Sequence, residues 1–433
     1  MYSISVIIPV YNAEYFLDEC FYSVLNKDDS IEIILIDDNS TDNTKKLLIK
    51  YAKKYNNVKT IFNENNLGVS ETRNIGLNIA SGRYIIFLDS DDFICDDSLE
   101  LLLEHINKNS NVDIYIVNIV DDHIAYQNIY YCDNNNIYTN RTILNNISNL
   151  SHNLDIGVCW RYIVKKDLLI SNKIQFLSMA RIYEDQEYFV KIFTLSKYFV
   201  FLDKFYYHHT NRKYSISQNV DFYCITSCLH VLISLITFLK ENEFNDLNNK
   251  FILSRIKAML IVLDQRMLLC SKDELVNISN LFKKLVYELD NVSIFIKFSQ
   301  NIREFNNTDS KCFAIVYYNY LKKRNINLIP SCSTSIFIYC AGIFGKGVAK
   351  ILQDENYKII GFIDDDKSIQ YEKILGIEIH SIAVINTYLN KIKNFHILIC
   401  TQRKNICELI IKHLIKLGIN QNHYSIACSS FNE

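Results

Sequence analysis

Four short runs, "ISVIIPV", "IEIILID", "VKTIF" and "YIIFL", occupy the first hundred residues with a helix-length stretch between each and the next. Three of them are apolar almost throughout, whereas a strand with one solvent face would alternate. Both faces must therefore be covered, which a parallel sheet between two layers of helices provides. The intervening stretches fit. Residues 14–26, "EYFLDECFYSVLN", carry apolar side chains at 16, 17, 20, 21, 24 and 25, a helical period. "DNSTDNTKKLLIKYAKKYN" predicts a second helix, capped by Ser40 or Thr41, with lysines late in it where the dipole favours cations. "VSETRNIGLNIAS" supplies a third. The reading is β-α-β-α-β-α-β around a mostly parallel central sheet.

A chain of 433 residues exceeds what one core organises. Residues 97–215 are less regular, with a strand "DIYIVNIV", an Asn-rich connection near 133–150, and then "GVCWRYIVKKDLLISNKIQF". From about 220 to 328 helical periods dominate, as in "ITSCLHVLISLITFLKEN" and "ELVNISNLFKKLVYELD". Pro330 and "SCSTS" read as a linker, after which strands and helices alternate again in "IFIYC", "GKGVAKILQDEN", "KIIGFID", "FHILICT", "RKNICELIIKHLIKLG" and "YSIAC". Three domains are predicted: an α/β domain at 1–218, a helical region at 219–330 and a small Rossmann-like α/β domain at 331–433.

A formal net charge of −2 offers no basic field for nucleic acid. The 13 cysteines are odd in number and lack CxxC pairs, and Cys224 and Cys228 sit at helical spacing as core residues would. A reducing compartment without a disulfide framework follows. "MYSISVIIPVYN" begins a strand at once, unlike a signal peptide. The most apolar stretch, "CLHVLISLITFLKENEF", meets Lys240 before reaching the roughly 18 uninterrupted residues of a membrane span. The expectation is a cytoplasmic protein without a transmembrane segment, at most peripheral at the inner face of the membrane.

Ligands of open parallel sheets collect beyond the carboxyl ends of the strands. Three polar clusters fall there: Pro9 to Glu14, Asp37 to Ser40, and Asp89-Ser90-Asp91-Asp92. In "FLDSDDF" three aspartates within four positions repel one another unless a cation sits among them. Alternation lets Asp89 and Asp91 face one site, and carboxylates are the ligands that Mg²⁺ or Mn²⁺ take. A lone pair so spaced is more readily a helix-capping cluster ahead of Asp96; three clusters at three strand ends favour a nucleotide and metal site.

The stretches "SVIIPVYNAEYFLDECFYSVLN", "IEIILIDDNSTDNT" and "NENNLGVSETRNIGLNIASGRYIIFLDSDDFI" resemble, in order and spacing, the signatures of family 2 glycosyltransferases with the GT-A fold. The resemblance continues more thinly through "WRYIVKKDLL", "RIYEDQEYFVKI" and "FYYHHTNRKYSIS", about half the chain in all. It implies that Pro9, Tyr11 and Glu14 border the nucleobase and ribose, that Asp38 bonds the base, and that Arg73 lies near the diphosphate. Asp89, with Ser90 beside it, would meet the ribose side, and Asp91 would hold the Mn²⁺ or Mg²⁺ bridging the phosphates. Asp185 of the Glu184-Asp185 pair would be the general base of an inverting reaction. On its own, "YEDQEYFVKIF" reads equally as a helix with a solvated acidic first turn. His209 stands where relatives often carry arginine, so metal or phosphate contact stands beside a plain loop of hydrogen-bonded histidines. Trp160 resembles the family's acceptor-side aromatic, though a core tryptophan is the simpler reading.

The implied activity is metal-dependent transfer of a hexosyl or N-acetylhexosaminyl group from a nucleotide sugar, a UDP-sugar, to a hydroxyl of a glycan or lipid-linked acceptor in cell-surface polysaccharide biosynthesis. Homo-oligomers are compatible with it. The last block, "IYCAGIFGKGVAK", follows a strand and opens a helix like a dinucleotide fingerprint, but Cys340 replaces a glycine; Asp364 closes the next strand. It looks like small Rossmann-type domains found beside sugar-modifying enzymes, with a structural or nucleotide-sugar-sensing role ahead of redox use of NAD. The alternatives are a non-catalytic nucleotide-sugar-binding protein and an NAD-linked sugar oxidoreductase working through this block.

Overall fold

The computed structural model describes residues 2–25, 29–121, 125–126, 135–147, 154–210, 222–290, 292, 334–385, 395–401 and 404–427. The chain forms two compact units, Met1–Asn219 with Ser234–Ala258, and Val220–Ile233 with Met259–Glu433.

The first unit opens with β1 (Ile4–Val10), α1 (Leu17–Val24), β2 (Ile31–Asp37), α2 (Thr44–Lys54), β3 (Val58–Phe62), α3 (Val69–Ile79) and β4 (Tyr84–Phe87). β1 lies between β2 and β4, β2 pairs with β3, and every one of these pairs is parallel. All of β1 and β2 is buried, the double covering that their apolar runs demand. Of the two acids there, Glu32 is fully buried and satisfied by Ser5, Lys59, Ser81 and the Gly82 N–H, which pins β2 to the turn before β4.

Two helix starts differ from the sequence reading. α2 begins at Thr44 after Asn43, not behind Ser40 or Thr41. Ser40 Oγ instead accepts the Asn12 N–H at 2.9 Å, and the Thr41 N–H donates to Asn12 Oδ1 at 2.8 Å, lacing the loops after β1 and β2 together. α1 starts at Leu17, which leaves Glu14 outside the helix.

Beyond β4 come β5 (Phe93–Ile94), α4 (Ser98–Lys108), β6 (Ile114–Asp121), β7 (Ala125–Tyr126), β8 (Ile137–Thr139), α5 (Asn140–Ile147), β9 (Tyr162–Lys165), α6 (Lys166–Ser171), α7 (Glu184–Leu195) and β10 (Tyr198–His209). The sheet runs β3-β2-β1-β4-β9-β6-β10-β5, with β7 on β6 and β8 on β10. β9 is antiparallel to β4 and β6. β10 runs parallel to β6 and antiparallel to β5, where Tyr207 faces Ile94 and His208 faces Phe93. That register carries the two histidines to the aspartate turn.

The helices α8 (Phe222–Glu241), α9 (Asp246–Met267) and α10 (Lys272–Asp290) form the described part of the middle region, and the unit boundaries fall inside α8 and α9. Cys224 and Cys228 are buried core residues of α8. Tyr223–Glu241 is, by length and composition, long and apolar enough to cross a membrane, which corrects the judgement that it is too short; more than half of it is buried within the protein. Pro330 lies outside the described residues.

The second unit contains β11 (Ser335–Tyr339), α11 (Ile343–Asp354), β12 (Lys358–Ile363), β13 (Lys373–Ile374), β14 (Ile377–His380), β15 (Phe395–Ile399), α12 (Lys404–Lys416) and β16 (Tyr424–Ile426). Its sheet order is β13-β14-β12-β11-β15-β16, parallel except between β13 and β14. Cys340, in the turn after β11, takes a φ of 78°. A Cβ on Gly345 would stand 2.0 Å from the Cys340 carbonyl oxygen, so glycine is what lets α11 start against that turn.

Candidate active site

The loops after β1, β2 and β4 meet at the carboxyl ends of their strands. Pro9 is buried in β1 opposite Ile36, and Tyr11 beyond it is 49% exposed. The Glu14 carboxylate accepts the backbone N–H and the side-chain amide of Asn43, each at 2.8 Å, and these bonds hold it below the usual carboxylate range. Asp38 is buried. Its Oδ1 accepts from the Leu67 N–H (2.8 Å) and Asn63 Nδ2 (2.9 Å), and its Oδ2 from the Gly68 N–H (2.8 Å). Asp38 thus fixes the loop leading into α3, whose last residue, Gly68, has a φ of 86°.

The aspartates after β4 divide into two groups. Asp89, Ser90 and Asp91 are half-buried, and Asp89 keeps 29% of its side chain exposed. Asp92 turns inward, accepting the Tyr207 hydroxyl at 2.7 Å and the Thr210 N–H at 2.9 Å. Burial first, and then the negative charge of Asp89, pushes Asp92 up to about 8. The folded state therefore holds a proton that the unfolded chain has released above the ordinary value of 3.8, and stability is lost as pH rises from there to about 8. Asp92→Asn is expected to flatten that part of the curve of unfolding midpoint against pH; an unchanged slope would show that Asp92 titrates normally.

The histidines are held by stacking. His208 lies on Phe93 (centroids 4.2 Å apart), His209 on Trp160 (5.5 Å), and Trp160 on Tyr207 (4.4 Å). Trp160 is half-buried, with part of its surface on the core and part open.

Arg73 organises the rest. It is 3% exposed and stands over the Phe176 ring. Its Nη1 donates to Glu184 Oε1 at 2.8 Å and to Asp185 Oδ1 at 3.2 Å, and its Nη2 to Asp89 Oδ1 at 2.7 Å. Both terminal nitrogens are engaged by carboxylates, so Arg73 ties the loop after β4 to the start of α7. The first turn of α7 is accordingly not a solvated acidic face. Glu184 is buried, and Glu187 is buried against Lys191 and Ser234. Asp185 alone, 19% exposed, keeps an open side. Burial raises both acids of the pair, Glu184 to about 8, against the pull of Arg73. One cation facing three carboxylates makes a proton on the Glu184–Asp185 pair easy to hold. Sequence reasoning missed this cluster.

No group of three His, Cys, Asp or Glu suited to a metal occurs among the described residues. Asp91 and the exposed part of Asp89 make a partial set of oxygens. That fits a hard cation completing its shell with phosphate oxygens and water, and the repulsion that raises Asp92 is one a cation would relieve.

A parallel β3-β2-β1-β4 core with a mixed edge and an aspartate turn after β4 is the GT-A glycosyltransferase fold. Residues 5–167 match the family model of glycosyl transferase family 2, and residues 335–408 that of the PglD N-terminal domain. The minor teichoic acid biosynthesis protein GgaB of Bacillus subtilis is 32% identical over 218 residues, 49% of this chain and 23% of GgaB. An uncharacterized glycosyltransferase of Haemophilus influenzae is 48% identical over 107 residues, 24% of this chain and 43% of that protein. The chain thus spans less than half the length of either relative. S. aureus TarS 1-349, solved in complex with UDP, superimposes with a TM-score of 0.52 at 20% identity, covering 75% of this chain and 92% of that one; the likeness is one of fold.

Proposed function

We propose that the first unit transfers a sugar, hexosyl or N-acetylhexosaminyl, from a UDP-sugar to a hydroxyl of a glycan or lipid-linked acceptor, with inversion. The observation that carries this reading is the Arg73 cluster. It joins a donor-side aspartate, Asp89, to a partly open carboxylate, Asp185, through one buried guanidinium. The acceptor oxygen attacks the anomeric carbon as the bond to the diphosphate breaks, the electron pair leaves with the nucleoside diphosphate, and the acceptor's proton passes to Asp185. Pro9, Tyr11 and Glu14 border the nucleoside, and Asp38, by fixing the loop before α3, shapes the base end. Asp91, with His209 as a further candidate beside it, would hold Mn²⁺ or Mg²⁺. That ion, when bound, offsets the charge of the leaving diphosphate.

The part of GgaB in minor teichoic acid biosynthesis and the UDP bound by TarS 1-349 support a UDP-sugar and a cell-surface acceptor. Work on a lipid-linked acceptor would place the protein at the cytoplasmic face of the membrane, as a peripheral protein. Redox use of the second unit is disfavoured, since the Asp364 carboxylate that would meet a ribose already accepts the N–H groups of Ala341 (2.8 Å) and Asp366 (3.0 Å). The test is release of UDP from a panel of UDP-sugars with Mn²⁺ and candidate acceptors. Acceptor-dependent release is expected for one sugar; release from none would contradict the reading.

A further inference from the structure

The turn that carries Asp91 is held from behind by one hydroxyl. The β1–β4 ladder reaches as far as the Leu88 N–H, which donates to the Ile7 carbonyl at 3.0 Å. Asp89 gives its N–H to the Tyr207 hydroxyl instead, at 3.2 Å, and the chain leaves the sheet there. The same hydroxyl donates to Asp92 Oδ2 at 2.7 Å. Asp89 and Asp92 are the two ends of one β-turn, closed by the Asp92 N–H on the Asp89 carbonyl at 3.0 Å, with Ser90 and Asp91 at its corners. From α1, the buried Cys20 thiol reaches that carbonyl at 3.5 Å. Tyr207 is itself fixed: it is buried, its backbone pairs with Ile94 of β5, and its ring lies flat on Trp160.

We propose that Tyr207 is a positioning residue for the metal: its hydroxyl clasps both ends of the Asp89–Asp92 turn and so fixes where Asp91 presents its oxygens. The proposal rests on the reading of Asp91 as the metal ligand. A phenol both accepts and donates, so one tyrosine can take an N–H from one end of the turn and give its own hydrogen to the carboxylate at the other. Phenylalanine can do neither. The clasp matters because this turn offers a cation few protein oxygens, and affinity then depends on their being aimed in advance. Without the hydroxyl, the Asp89 N–H and Asp92 Oδ2 each lose a partner. Asp91 must then be ordered when the ion arrives, and that ordering weakens binding.

The experiment is calorimetric titration of UDP into the full chain over a series of Mn²⁺ concentrations, on wild type, Tyr207→Phe and Tyr84→Phe. Phenylalanine at 207 keeps the ring and its place against Trp160 and removes only the hydroxyl. It is expected to need about three- to tenfold more Mn²⁺ for half-saturation, the worth of about one hydrogen bond, with the stoichiometry of UDP unchanged. Tyr84→Phe is the control. It also deletes a buried hydroxyl bond of 2.7 Å, to the Val112 carbonyl, but Tyr84 opens β4 whereas the aspartate turn follows it. It is expected to lower the unfolding midpoint and to leave the Mn²⁺ requirement as in wild type. An unshifted requirement in Tyr207→Phe, or an equal shift in both variants, would overturn the proposal, because the hydroxyl would then serve the fold alone. Wild-type protein that binds UDP regardless of Mn²⁺, or does not bind it, would instead remove the reading of Asp91 and the clasp with it.

Discussion

Asp185→Asn is expected to lower sugar transfer by about 10²–10⁴-fold, the usual loss of a general base, with UDP affinity unchanged. Asparagine keeps the shape of the side chain and an oxygen that can still accept from Arg73, while it can no longer take a proton. The variant also removes one of three negative charges crowded on a single cation, so its unfolding midpoint should hold or rise. Lost activity with a retained fold and retained UDP binding separates an enzyme from a protein that merely holds nucleotide sugar. An active Asp185→Asn would assign the base elsewhere.

Arg73→Met is expected to cost stability on the scale of breaking a buried ion pair, about 3–5 kcal/mol. The methionine fills much of the space above Phe176 but leaves Glu184, Asp185 and Asp89 without their shared cation. The sign with pH follows. In the variant Glu184 and Asp185, raised by burial and no longer drawn down by the cation, bind protons more tightly folded than unfolded, so the deficit should be smallest near pH 5, where they can be neutral, and should grow towards pH 8. Arg73→Lys should recover only part of the loss, because one ammonium cannot span three carboxylates as the planar fork does. Urea midpoints at the two pH values measure both effects. A midpoint in Arg73→Met equal to wild type at both would mean that the cluster contributes nothing to the fold.

What the sequence made legible was what local patterning controls. β1, β2 and β3 run over the residues their apolar runs mark out, and the second unit's strands fall where alternation restarts. Helix starts were less legible. Ser40 has the chemistry of a cap, but its hydroxyl is used by Asn12, a residue 28 positions earlier, and α2 starts later. The site was legible as a list and not as an arrangement. Arg73 reads as a phosphate ligand until its partners, 111 and 112 positions away, are seen to bury it. Asp92 cannot be told from its neighbours in "DSDD", because what turns it inward is Tyr207 at 115 positions' distance.

The central claim, a metal-dependent donor site at the aspartate turn, is tested most directly by calorimetric titration of UDP into the protein with and without Mn²⁺, on wild type and Asp91→Asn. Binding by wild type that needs Mn²⁺ and is lost in Asp91→Asn is the expected result. Binding that ignores the metal, or that survives the substitution, would contradict the assignment of Asp91; silence from wild type under both conditions would contradict the UDP site itself.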